Sequence, residues 1–161
     1  MAVAAHPGTA AAEPIWFIDN LARVLVDGES SGGALAIVEI TGRQGDMPPL
    51  HLHHSDDETF VVLEGSLALF LPRGRRIDLV AGEAALAPKE TPHTYGVESD
   101  EARWLVVTTP AGFDAFVREA GEPAEQPELP PPGREHDVAR LGAIASSYGV
   151  ELLGPPGATP A

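Results

Sequence analysis

The chain has no cysteine, so disulfides, thiolate metal ligands and cysteine nucleophiles are all excluded. It has a single lysine, Lys89, and its 10 Lys and Arg stand against 24 Asp and Glu, a formal net charge of −14. Nucleic-acid affinity rests on neutralising phosphates with cations, so this balance argues against DNA or RNA as a partner. No apolar run approaches the roughly 20 residues of a membrane span, and no membrane partner is expected. The opening MAVAAHPGTAAAEP lacks a basic start and is broken by His6, Pro7 and Gly8, so it does not read as a secretory signal. A cytoplasmic location is the expectation. Also missing are the G-x-S-x-G elbow, the phosphate-cradling P-loop and the G-x-G-x-x-G turn. Ser30 and Ser66 have no evident base partner, which argues against hydrolysis by an activated serine.

What is present is punctuation. Seventeen Gly and 16 Pro divide a 161-residue chain into short apolar segments, the pattern of many strands joined by turns. Residues 1–14 are small and polar and are expected to form a disordered tail. Residues 15–109 read as a β domain, with runs such as ALAIVEIT, TFVVLE, SLALFL and RWLVVTT separated by turn signals, the signature of a sandwich or barrel. Residues 110–161 change character. Phe113, Phe116 and Val117 share one helical face ended by Gly121. After a Pro-rich connector, Asp137 is placed to cap a second helix with Val138, Leu141, Ile144, Ala145 and Tyr148 inward. Val150 to Leu153 reads as a last extended piece, and the helices are expected to cover the β domain or an interface.

Four of the six histidines and one correctly spaced glutamate fall in two short segments, PPLHLHHSDDETFVVLEG and APKETPHTYG. Side chains at i and i+2 of a strand share a face about 7 Å apart, so His51 and His53 aim into one space. His54 has the opposite parity and faces away. The polar His54-Ser55-Asp56-Asp57 lets the chain reverse, returning Glu58 to the same space, with Phe60 and Val62 on its face as pocket walls. Asp57 is the competing carboxylate, and Asp56 reads as part of a solvated turn. His93, after Pro92, comes from across the β domain as a fourth ligand. Imidazole and carboxylate together suit Fe, Mn, Co, Ni, Cu or Zn.

The spacing Gly45-x5-His51-x-His53-x4-Glu58-x6-Gly65 resembles the first sequence motif of the cupin superfamily. Gly82, Pro88 and His93 match the second motif, in which Glu90 stands for its second Gly and Val97 for its Asn. The resemblance implies an all-β fold, a jelly-roll-like β-barrel, holding one divalent metal through His51, His53, Glu58 and His93. It implies a homodimer exchanging N-terminal strands, with Ile15 to Ile18 as the arm. Within the superfamily the chain looks most like single-domain, quercetin 2,3-dioxygenase-like cupins. The implied function is a metal-dependent dioxygenase acting on an aromatic or enolic small molecule, with Glu58 either a ligand alone or a ligand that is also the catalytic base. Phe60, Val62, Tyr95 and Trp104 are the expected pocket residues. A non-redox cyclase, isomerase or lyase and a binding module without turnover are the alternatives.

Overall fold

Twelve strands and two helices make up residues 12–161, the part that this computed structural model describes. Most of the expected tail, residues 1–11, lies outside it. Strands β1 (Pro14–Phe17), β2 (Asn20–Val26), β3 (Ala36–Arg43), β4 (Pro49–His53) and β5 (Asp57–Glu64) carry the first half of the chain. Next come β6 (Ser66–Leu71), β7 (Arg75–Val80), β8 (Ala84–Ala87), β9 (Thr94–Val97) and β10 (Glu101–Thr109). Helix α1 (Phe113–Ala120), β11 (Glu122–Pro123), helix α2 (Val138–Ser147) and β12 (Val150–Pro156) complete it. None of the described helices is long and apolar enough to cross a membrane.

Seven strands form one antiparallel sheet in the order β11-β1-β2-β3-β10-β5-β8. The facing layer is a three-stranded piece, β7-β6-β9, and a two-stranded piece, β12-β4. A single bridge joins these two pieces, His51 to His93, through reciprocal backbone hydrogen bonds of 3.1 and 2.8 Å. The result is a jelly-roll sandwich. Alternation along β10 and β5 sends Trp104, Val106, Phe60 and Val62 inward, where each is at most 1% exposed. Rings meet across the layers: Phe60 packs on Tyr95 at 5.7 Å and Tyr95 on Trp104 at 5.2 Å.

β3 is buried on both faces, as its doubly apolar pattern implies. Its outward Glu39 is paired to Arg103 at 2.8 Å. The Pro-rich connector is tied down nearby, where Arg43 and Trp16 donate to the carbonyls of Pro130 and Glu128. Asp137 caps α2 by accepting the Arg140 N–H at 2.9 Å. Ile144 and Ala145 face inward, but Val138 is 71% exposed. Val138 is therefore not on the inward stripe, because it is the first residue after the cap and precedes the turn that packs. β1 pairs with β2 and β11 of its own chain.

Candidate metal centre

A bridge between β4 and the residue just before β9 brings the histidines together. His51 and His93 face each other across an antiparallel bridge, and such partners present side chains to the same face. Their rings lie 4.5 Å apart, and His53 lies 5.3 Å from His51. Glu58 arrives from the opposite sheet on β5. One ligand atom from each of His51, His53, Glu58 and His93 falls within 4.8 Å of all the others. The quartet selected by spacing is thus a single cluster.

The hydrogen bonds around the rings assign their protons. His51 Nδ1 lies 2.7 Å from the Pro49 carbonyl and His93 Nδ1 lies 2.8 Å from the Thr91 carbonyl. A carbonyl can only accept, so both Nδ1 atoms carry hydrogen and, in the neutral rings, both Nε2 atoms present a lone pair. His53 Nδ1 makes the same kind of bond to Asp56 Oδ2 at 2.8 Å. Facing those lone pairs is another set of lone pairs. Glu58 Oε2 sits 2.8 Å from His93 Nε2 and 3.3 Å from His53 Nε2. An unprotonated nitrogen and a carboxylate oxygen at these distances require a proton or cation between them. A divalent metal suits three neutral imidazoles and one carboxylate.

Without a metal, protonated imidazoles supply the cation that Glu58 needs. Burial alone would raise Glu58, yet positive charge on the three imidazoles, with the hydrogen bond from His93, outweighs it and brings its pKa down to about 2. Burial, reinforced by neighbouring His93, lowers His51 to about 4. At His53 burial pulls downward, but the Glu58 and Asp56 carboxylates prevail and raise it. Tyr95 is pushed upward by burial and by Glu58, and stays protonated.

His54 lies outside the cluster, exposed between Glu90 and Glu151 at 2.9 and 3.0 Å, as its parity requires. Asp57, the competing carboxylate, instead accepts the Lys89 N–H at 2.9 Å. Asp56 is not a solvated turn residue. It is 6% exposed and holds His53, a role its sequence position three residues on in the turn only hints at. Glu90, where the second motif has glycine, adopts the left-handed φ of +61°. Its N–H bonds the His53 carbonyl at 2.7 Å, which keeps the loop in place without the glycine.

A cavity of about 50 Å³ opens beside the quartet and is lined by His51, His53, Glu58 and Tyr95. Of the four expected pocket residues, only Tyr95 reaches it. Phe60, Val62 and Trp104 share the inward face but lie deeper, in the packed core between the sheets. Half of the remaining wall comes from the C-terminal segment, including Phe113 and Phe116 of α1 and Leu141 and Ala145 of α2, and half from the β domain. Periodicity marks those four only as helix-packing positions, since nothing along the chain says that the helices meet the metal ligands.

Comparison with known proteins agrees with this architecture. Residues 38–108 match the family described as the cupin domain. Quercetin 2,3-dioxygenase of Bacillus subtilis is 35% identical over 112 residues, covering 70% of this chain. The match takes in 33% of that protein, so the chain spans about a third of its relative's length. Among solved structures, KdgF from Halomonas sp. superposes with a TM-score of 0.60 at 16% identity, over 71% of this chain and 99% of that one. The polyketide cyclase RemF from Streptomyces resistomycificus gives 0.56 at 25% identity, over 68% and 80%.

Proposed function

The chain is a member of the cupin family through residues 38–108, and on that premise we propose that it is a metal-dependent dioxygenase acting on an aromatic or enolic small molecule. The observation that carries this reading is the proton assignment: three imidazoles tied off at Nδ1 and turned, with Glu58, toward one point beside an apolar cavity. The likeness to a quercetin 2,3-dioxygenase supports the redox form of the reading.

His51, His53, Glu58 and His93 would hold one divalent ion. The ion would supply Lewis acidity toward a substrate oxygen and, if redox-active, a path for electrons to dioxygen. The chain supplies the rest. Glu58 stays ionised well below neutral pH, which suits it to hold a cation; as base toward an enolic or phenolic hydroxyl it would have to swing away from the imidazoles that depress its pKa. Phe113, Phe116 and Leu141 exclude water and offer flat apolar surface to a ring. A ring system the size of a flavonol exceeds the present cavity, since small-molecule pockets run to several hundred Å³ (about 300–1,000). Entry therefore requires the helical cover to yield.

The test is oxygen uptake by protein reconstituted separately with Fe, Mn, Co, Ni and Cu on a panel of flavonols and enols. Consumption dependent on metal and substrate is expected, and none with any combination would overturn the dioxygenase reading. In parallel, His53→Ala and His93→Ala should lose bound metal while His54→Ala keeps it, and equal metal in all three would refute the ligand assignment. A second reading, a non-redox cyclase, isomerase or lyase, draws on the likeness to RemF. It predicts anaerobic turnover with Zn.

A further inference from the structure

Thr108 carries a hydroxyl that the fold buries completely and leaves without a partner. Strand register places it. On β10, Thr108 pairs with Ala36 of β3 on one side and with Glu58 of β5 on the other. Directly opposed residues share a face with Cβ atoms about 5 Å apart, so Thr108 stands beside the stem of Glu58 on the interior face. Ala36 offers no polar atom. Phe60 and Asp56 lie diagonally across on β5 and the turn before it, and Asp56 is committed to His53 through Oδ2. Glu58 is thus the polar side chain nearest in register, and it has capacity to spare. Its Oε2 faces His53 and His93, while Oε1 makes no hydrogen bond among the described residues.

We propose that Thr108 is a positioning residue of the metal centre, whose hydroxyl donates to Glu58 Oε1 and holds the carboxylate in its ligating pose. The inference rests on the reading that the quartet binds a metal. An unpaired buried hydroxyl is destabilising, and a valine of the same shape would fill the site without that cost. The hydroxyl therefore has its use in a state where Glu58 turns Oε1 toward it. A carboxylate ligand anchored at its second oxygen keeps its direction and its charge when the metal arrives.

The experiment titrates Co²⁺ into the metal-stripped full chain against a competing chelator, for wild type, Thr108→Val and Thr108→Ser. Thr108→Ser should bind like wild type. Thr108→Val should bind about 10-fold more weakly, the lower end of the loss seen when a ligand's supporting hydrogen bond is removed. Metal-free Thr108→Val should melt at or above wild type, which separates loss of positioning from loss of fold. If that variant does not fold, Thr108→Ala carries the comparison and should bind more weakly than Thr108→Ser. Wild-type affinity in Thr108→Val, or equal weakness in Thr108→Ser, overturns the role of the hydroxyl while leaving the metal site intact. Failure of wild type itself to bind Co²⁺ would overturn both.

Discussion

Glu58 keeps a negative charge where burial by itself would neutralise it, and it does so because the three imidazoles facing it carry positive charge when no metal is bound. Each imidazole is in turn aimed by an acceptor at its far nitrogen: Pro49 and Thr91 through backbone carbonyls, and Asp56 through a buried carboxylate. Asp56 is the one of the three that mutation can remove. Asp56→Ala should weaken metal binding about 10- to 100-fold, because His53 loses both its orientation and its fixed tautomer. Asp57→Ala should leave metal affinity unchanged, since Asp57 serves the Lys89 amide. Chelator competition with one metal distinguishes the two, and equal effects would contradict the assignment. The ligands themselves are legible in the chain because strand parity is local: His51 and His53 in, His54 out. Asp56 is not, since its direction depends on how the turn after His53 folds back.

At the scale of elements, β4 is held on both sides. Its His53 pairs with Val150 and its His51 with both Leu152 and His93, so the C-terminal strand β12 on one side and the segment leading into β9 on the other clamp the ligand strand. The motif glycines bracket this region but carry different strains. Gly45 has φ +86° with open space where a Cβ would go, so alanine there should cost only about 1 kcal/mol. Gly65 has φ +74°, and a Cβ would collide with the Glu101 carbonyl and the Ser99 hydroxyl oxygen. Gly65→Ala should therefore cost about 3 kcal/mol or more. Urea unfolding of the metal-free variants measures the gap, and similar midpoints would remove the steric argument. Both glycines are visible as turns in the sequence, because glycine spacing can be read in one dimension. Their ranking is not, because the collision at Gly65 comes from residues far along the chain, on and just before β10. Capping of α2 by Asp137 is equally local and legible. The outward turn of Val138 is not, because it depends on which part of the helix meets the sheets.

In the whole molecule, the β domain builds the quartet and the C-terminal segment closes over it. α1 meets the N-terminal strand where Phe17 packs edge-on to Phe113 at 6.0 Å and to Phe116 at 5.3 Å. α2 adds Leu141 and Ala145 to the cavity wall. Leu141→Ala should enlarge the cavity, cost about 1–2 kcal/mol of stability for a half-buried leucine, and bind quercetin more tightly than wild type by calorimetric titration of the metal-loaded protein. Unchanged or weaker binding would mean that α2 does not limit access. Periodicity and spacing were enough, in the sequence by itself, to determine an all-β architecture, two C-terminal helices and four residues able to hold a metal. Those are properties of neighbours along the chain, where a period of two or a fixed gap decides direction. Only the tertiary structure decided that His51 and His93 pair across strands and that Asp56 is buried against His53. It also decided that Tyr95 reaches the cavity while Phe60, Val62 and Trp104 stay in the core. Each of these depends on the register between distant strands and on depth along the sandwich, and neither is written in the order of residues along one strand.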